Sequence, residues 1–177
     1  MAVIPKPLPD EYLHYYGPYI GLVPECDLAV VLPQQLAATR AIFGTVTPAK
    51  AGYRYADGKW SVREVLGHMT DVERIMTYRL LRVARADTTA LPGFDEGAYV
   101  PVSGAEQRTT ADLVDEFAAV RGATVALFRG LPADAWSRIG NANGHPISAR
   151  ALGYIVAGHE RHHLETLRAR YGVGMQE

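Results

Sequence analysis

Cysteine is almost missing from this sequence. Cys26 stands alone among 177 residues, which excludes an intramolecular disulfide and suits a reducing cytosol. No apolar run approaches the roughly 18 residues of a membrane span. The N-terminus, MAVIPKPLPDEY, lacks the apolar core of a secretory signal. Blocks of like charge are missing too. The 18 Lys and Arg are scattered among 19 Asp and Glu, giving a net charge of -1 and a pI of about 6.6. That balance argues against nucleic acid or a membrane surface as a partner through bulk electrostatics. Internal repeats and low-complexity tracts are absent. The expectation is a soluble, cytoplasmic protein of one domain, residues 1–177, long enough to bury a sizeable core.

Proline is unevenly placed. Pro5, Pro7, Pro9, Pro18 and Pro24 crowd the first 24 residues, beside Tyr12, Tyr15, Tyr16 and Tyr19. Proline disfavours a helix there, and the tyrosines argue against disorder. Residues 1–24 are expected to form an extended arm, packed on the body or on a second subunit.

No segment shows the period-two alternation of a half-buried strand, so no sheet is expected. Four stretches within residues 25–177 instead carry helical spacing. The first runs from Asp27, an N-cap, to Phe43, with Gly44 as its stop and Pro33 as a kink or a delayed start. The second runs from Ser61 to about Arg85, with Ser61 and Glu64 in the S-x-x-E capping-box pattern. The third runs from about Thr110 to Arg129 behind a Thr109 cap, and the fourth from Ser148 to about Tyr171, ended by Gly172. These predict an all-α four-helix bundle. Residues 86–109, the longest link, reach back along the bundle, so the second and third helices run parallel in an up-down-down-up order.

The most informative stretch is GYIVAGHERHHLETLRARY. His159 and His163 are four residues apart, so they stack on one helix face. At roughly 100° per residue, Leu152, Ile155, Val156, His159, His163 and Leu167 share one stripe, while Glu160 and His162 fall on its two flanks. A helix core is a costly place for unpartnered imidazoles. A pair held this way supplies two ligands to one metal ion, and His68 on the second helix is the candidate third. His68 lies about 10 Å from the start of its helix and His163 about 12 Å from the end of the fourth at 1.5 Å per residue, so antiparallel packing puts them at one level. Three neutral imidazoles would leave positions open on zinc or nickel, the mark of a catalytic rather than a closed structural site.

Two other readings of the pair stay open. One is hydrogen-bonded core histidines. The other is the H-E-x-x-H pattern of zinc proteases, with Glu160 as general base. That motif has poor context here, because Thr166 stands where its extended form needs glycine and an all-helical chain lacks a sheet edge for a peptide. Glu64, Asp71 and Glu160 are candidates to orient the ligands through their second ring nitrogens. Gly67 and Gly158 precede His68 and His159, and close helix packing is favoured over room for a ligand. His145 reads as a loop histidine, His14 carries no distinct signal, Cys26 has no nucleophile's partner, and Trp60 reads as packing ahead of its helix cap. No catalytic residue beyond the candidate ligands is assigned.

Three pieces, YRYADGKWSVREVLGHMTDVERI, LPGFDEGAYV and GYIVAGHERHHLETLRARY, together resemble the DinB/YfiT-like family of bacterial four-helix-bundle proteins. The resemblance covers nearly the whole chain. It implies a divalent metal, nickel or zinc, held by His68, His159 and His163. Among such relatives are thiol S-transferases using bacillithiol, mycothiol or glutathione, as well as putative metal-dependent hydrolases, and many are homodimers. The lead expectation is a metal-dependent transferase in which a low-molecular-weight thiol attacks an electrophile held near residues 91–99. A hydrolase using metal-bound hydroxide, or a stress-related metal-binding protein without turnover, are the alternatives.

Overall fold

Local capping chemistry starts each long helix. Ser61 Oγ accepts the Glu64 N–H while the Glu64 carboxylate accepts the Ser61 N–H, a complete capping box. Thr109 and Ser148 accept from Asp112 N–H and Ala151 N–H, and Asp27 accepts from Ala29 N–H. A computed structural model describes residues 3–174 and places seven helices among them. They are α1 Gly17–Gly21, α2 Leu28–Phe43, α3 Pro48–Ala51, α4 Val62–Ala84, α5 Glu96–Tyr99, α6 Thr110–Arg129 and α7 Ala149–Tyr171. Gly172 closes α7 in the left-handed conformation at φ 63°. Pro33 does not delay α2, which starts at Leu28 behind its Asp27 cap.

The four long helices α2, α4, α6 and α7 form the bundle, and cross-helix contacts give their directions. Glu73 meets Arg121 and Thr77 meets Thr124, so α4 and α6 run parallel. Tyr171, at the end of α7, donates to the carbonyl of Trp60, just before α4, so those two are antiparallel. Gln35 bonds the Ala157 carbonyl and Thr39 bonds Glu160, making α2 parallel to α7. The order is therefore up-down-down-up, as the long 86–109 link predicts.

The expectation of no sheet needs correcting. β1 Ile139–Ala142 and β2 His145–Ser148 form an antiparallel hairpin between α6 and α7. Asn143 and Gly144 make its two-residue turn, with φ of 55° and 79°. Asn-Gly is favoured there because a type I′ turn needs positive φ at both positions. The strands are four residues each, too short for alternation to show. Leu91 exchanges backbone hydrogen bonds with Asn141 and Asn143, which ties the 86–109 link to the hairpin.

The N-terminal arm is also less extended than its prolines predict. Pro9–Glu11 and His14–Tyr16 are 3-10 turns, and α1 follows with Pro18 in its first turn, where the missing N–H is not needed. The arm packs on its own chain. Ile4 bridges Cys26, Tyr154 donates to the Ile4 carbonyl, and Arg150 pairs with Glu11. Gly158 makes the closest seat. A Cβ there would stand 2.0 Å from the Tyr19 carbonyl oxygen, so only glycine lets the arm lie against α7. Gly67 likewise faces Ala105, and both glycines serve close packing.

The apolar core divides into two clusters. One is built around Leu28, Leu80, Phe128 and Leu152, the other around Phe43, Leu66, Phe117 and Leu167. Between them lies a belt of buried polar side chains, contributed at one level by all four bundle helices.

Candidate metal centre

One end of that belt is the histidine cluster. His68 comes from α4, and His159 and His163 from α7, which the antiparallel packing brings to the same depth. The Nε2 atom of His159 lies 3.0 Å from that of His68 and 3.1 Å from that of His163. One ligand-capable nitrogen from each ring lies within 4.8 Å of the others. All three side chains are buried, at 4 %, 5 % and 9 % exposure. Burial pushes the His68 pKa down to about 4 and those of His159 and His163 well below the ordinary value, with neighbouring histidines adding to each. The rings are therefore neutral near pH 7, with lone pairs available.

The donor chemistry fits a divalent ion of intermediate softness, since imidazole suits zinc and nickel. Three convergent neutral nitrogens need no compensating charge to coexist, and they place no opposing cation at their centre. The Trp60 ring packs 4.7 Å from His68, and Tyr19 lies edge-on 5.5 Å from His159. Trp60 thus helps shield the cluster besides packing ahead of its helix.

The three candidate orienting carboxylates have other partners. Glu64 is committed to the Ser61 capping box and Arg54. Asp71 pairs with Arg74 on the α4 surface, 3.6 Å away. Glu160 accepts from Thr39 and from Arg121, 2.7 Å away. None of these carboxylates bonds a ring of the cluster, so the expected orienting role is not seen. The physical reason for Glu160 is angular: next to His159, it leaves the helix about 100° round the axis. The same turn removes it from the place of an H-E-x-x-H general base. His145 is exposed on β2, His14 is exposed in the arm, and Cys26 is half-buried with its thiol pushed up by burial.

A cavity of about 460 Å³ opens beside His159. Tyr16 and Tyr19 of the arm, Met76 and Arg79 of α4, Phe94 of the long link and Asn143 of the hairpin turn contribute to its lining. Gly93, Asp95 and Glu96 also lie on it, so the 91–99 segment forms a wall, where the electrophile was expected. Sequence reasoning missed Arg79 and Asn143. The signal for the first was present: His68, Val72, Met76 and Arg79 recur at i, i+4, i+8 and i+11 on one face of α4. The signal for the second was the Asn-Gly pair.

These features define a helical bundle with a buried three-histidine cluster at the edge of a cavity. The DinB superfamily model matches residues 32–167, and the chain belongs to that superfamily. Among solved structures it is similar to YfiT from Bacillus subtilis, described as a probable metal-dependent hydrolase with an unusual four-helix bundle topology. That match has a TM-score of 0.65 and 21% identity over 94% of this chain and 93% of YfiT. It is also similar to YjoA, a DinB-like protein from Bacillus subtilis, with a TM-score of 0.61 and 17% identity over 83% of this chain and 90% of that one. No curated protein matches the sequence. No helix among the described residues is long and apolar enough to cross a membrane.

Proposed function

We propose that this chain is a divalent-metal enzyme that transfers a low-molecular-weight thiol to a small electrophile. The observation that carries the reading is the convergence of three buried, neutral imidazoles next to a ligand-sized cavity. His68, His159 and His163 would hold the ion, with nickel or zinc the best match to their chemistry. When bound, such an ion supplies Lewis acidity that lowers the pKa of a thiol or a water beside it.

The protein's own groups favour the thiol. Among the described residues no carboxylate hydrogen-bonds a ring of the cluster, so no carboxylate base is held there to help ionise water. A thiol starts from a pKa of about 8.5 and needs far less help. Met76, Ile155 and Phe94 give the cavity an apolar wall that would hold the electrophile and exclude water. The thiol gives its proton to solvent, the new bond forms between sulfur and the electrophilic carbon, and the leaving group departs with the electron pair of the bond that breaks.

The test is to mix purified protein with monochlorobimane and each of a panel of thiols. Thiol transfer that is lost in His163→Ala supports the reading. Hydrolysis is the second reading, favoured by the description of YfiT. Silence across all thiols, with turnover of p-nitrophenyl acetate, would establish it in place of transfer.

A further inference from the structure

Two arginines are buried inside this bundle, and they are treated differently. Arg121, 1 % exposed, is matched by the carboxylates of Glu73 and Glu160. Arg79, 3 % exposed, has no carboxylate within ion-pair distance among the described residues. Its Nη2 donates to the Pro92 carbonyl at 2.6 Å, its Nη1 approaches the Met76 sulfur at 3.8 Å, and its guanidinium lies over the Phe94 ring at 5.4 Å. A buried cation without a counter-charge is expensive to keep. This one lines the cavity beside the histidine cluster.

We propose that Arg79 is the binding residue for a substrate carboxylate, and that the cavity takes an elongated organic monocarboxylate. Its anionic end meets Arg79 and its reacting end lies at His159. This deepens the proposed function and rests on its placement of the reacting centre at the histidines. Three observations specify the class. Guanidinium pairs bidentately with a planar carboxylate, and the pair is strongest where water is excluded. Between Arg79 and the cluster the α4 wall is Val72 and Met76, with Ile155 opposite, so the body of the ligand is apolar. Arg79 stands eleven residues beyond His68 on the same face, about 16 Å along the axis at 1.5 Å per residue, which sets the anion well apart from the reacting atom. The exposed Asp95 and the half-buried Glu96 sit on the lining as well. They disfavour a second negative charge, so a phosphate dianion is a poorer fit than a monocarboxylate.

The test is calorimetric binding of phenylbutyrate, its neutral isostere phenylbutyramide and phenylpropyl phosphate. It is run on metal-loaded and on chelator-treated protein, with metal content measured in parallel. The carboxylate is expected to bind at least about tenfold more tightly than the amide in both states, as befits a charge-assisted pair. Arg79→Gln should bring the two ligands to parity, and Arg79→Lys should keep part of the preference, which secures the result if the Gln variant does not fold. An arginine that merely holds the Pro92 carbonyl would, when replaced, weaken acid and amide alike, and that outcome overturns the proposal. So does a preference that vanishes on chelation, because the ion would then be the carboxylate's partner. A phosphate ester that outcompetes the acid overturns the assigned class. Protein that binds no metal yet discriminates acid from amide through Arg79 refutes the metal centre and the placement of the reacting end, and leaves the Arg79 carboxylate site standing.

Discussion

The two ends of the polar belt are built from neighbouring residues of one helix and have opposite character. His159 and Glu160 are adjacent on α7 and both buried. Glu160 turns into a closed network with Arg121, Thr39 and Glu73 that joins α2, α4, α6 and α7. Burial raises the Glu160 carboxyl, against the pull of Arg121. His159 turns instead toward two other imidazoles, none of them charged near neutral pH, with no carboxylate among them. One cluster has satisfied its charges internally and fastens the bundle. The other has donors to spare and lies beside a cavity. Burial alone does not mark a site; a buried group whose bonding capacity is left open does.

The largest expected effect breaks the closed cluster. Arg121→Met strands two carboxylates in the core and should cost about 3–5 kcal/mol in denaturant unfolding. Replacing Glu73 and Glu160 with leucine in the same protein should recover most of that loss, because an apolar replacement of the whole network removes the unpaired charge. A single substitution costing under about 1 kcal/mol would contradict its fastening role. Next is Gly158→Ala, which drives a Cβ into the Tyr19 carbonyl. It should destabilise by about 1–3 kcal/mol through overpacking and loosen the arm over the cavity, read as faster proteolysis before Asp27. A further test is an acid effect confined to the open cluster. In metal-free protein the folded histidine pKa values lie below the unfolded value of 6.5, with His68 at about 4. The unfolded chain therefore takes up protons first, so stability is full above pH 6.5 and falls as the pH drops toward 4. A flat stability profile across that window would remove the neutral, desolvated cluster from the account.

What was legible in the sequence is what local rules govern. The caps at Ser61, Thr109 and Ser148 each involve residues three apart, and the i, i+4 stacking of His159 and His163 needs only one helix. His68 was reachable because depth along two antiparallel helices is simple arithmetic. Part of what failed depended on partners far away in the chain. Arg121 follows Phe117 by one turn and lies on the stripe of its helix, yet nothing nearby announces that Glu73 and Glu160 will neutralise it. Glu64, Asp71 and Glu160 were close to the ligands along the chain, but Arg54, Arg74 and Arg121 claimed them. The hairpin was announced by Asn143-Gly144 and concealed by the shortness of its strands. Pro18 misled because proline opposes helix interiors and suits helix starts.

Metal content is the most direct measurement of the central claim. Protein purified without chelators and analysed by elemental mass spectrometry should carry about one nickel or zinc per chain, since three imidazoles make a single site. His163→Ala should carry essentially none while keeping the helical circular dichroism of the parent. Parent protein without metal that cannot be loaded by dialysis against either ion, or a variant that keeps its metal, would contradict the assignment of His68, His159 and His163 as the ligands.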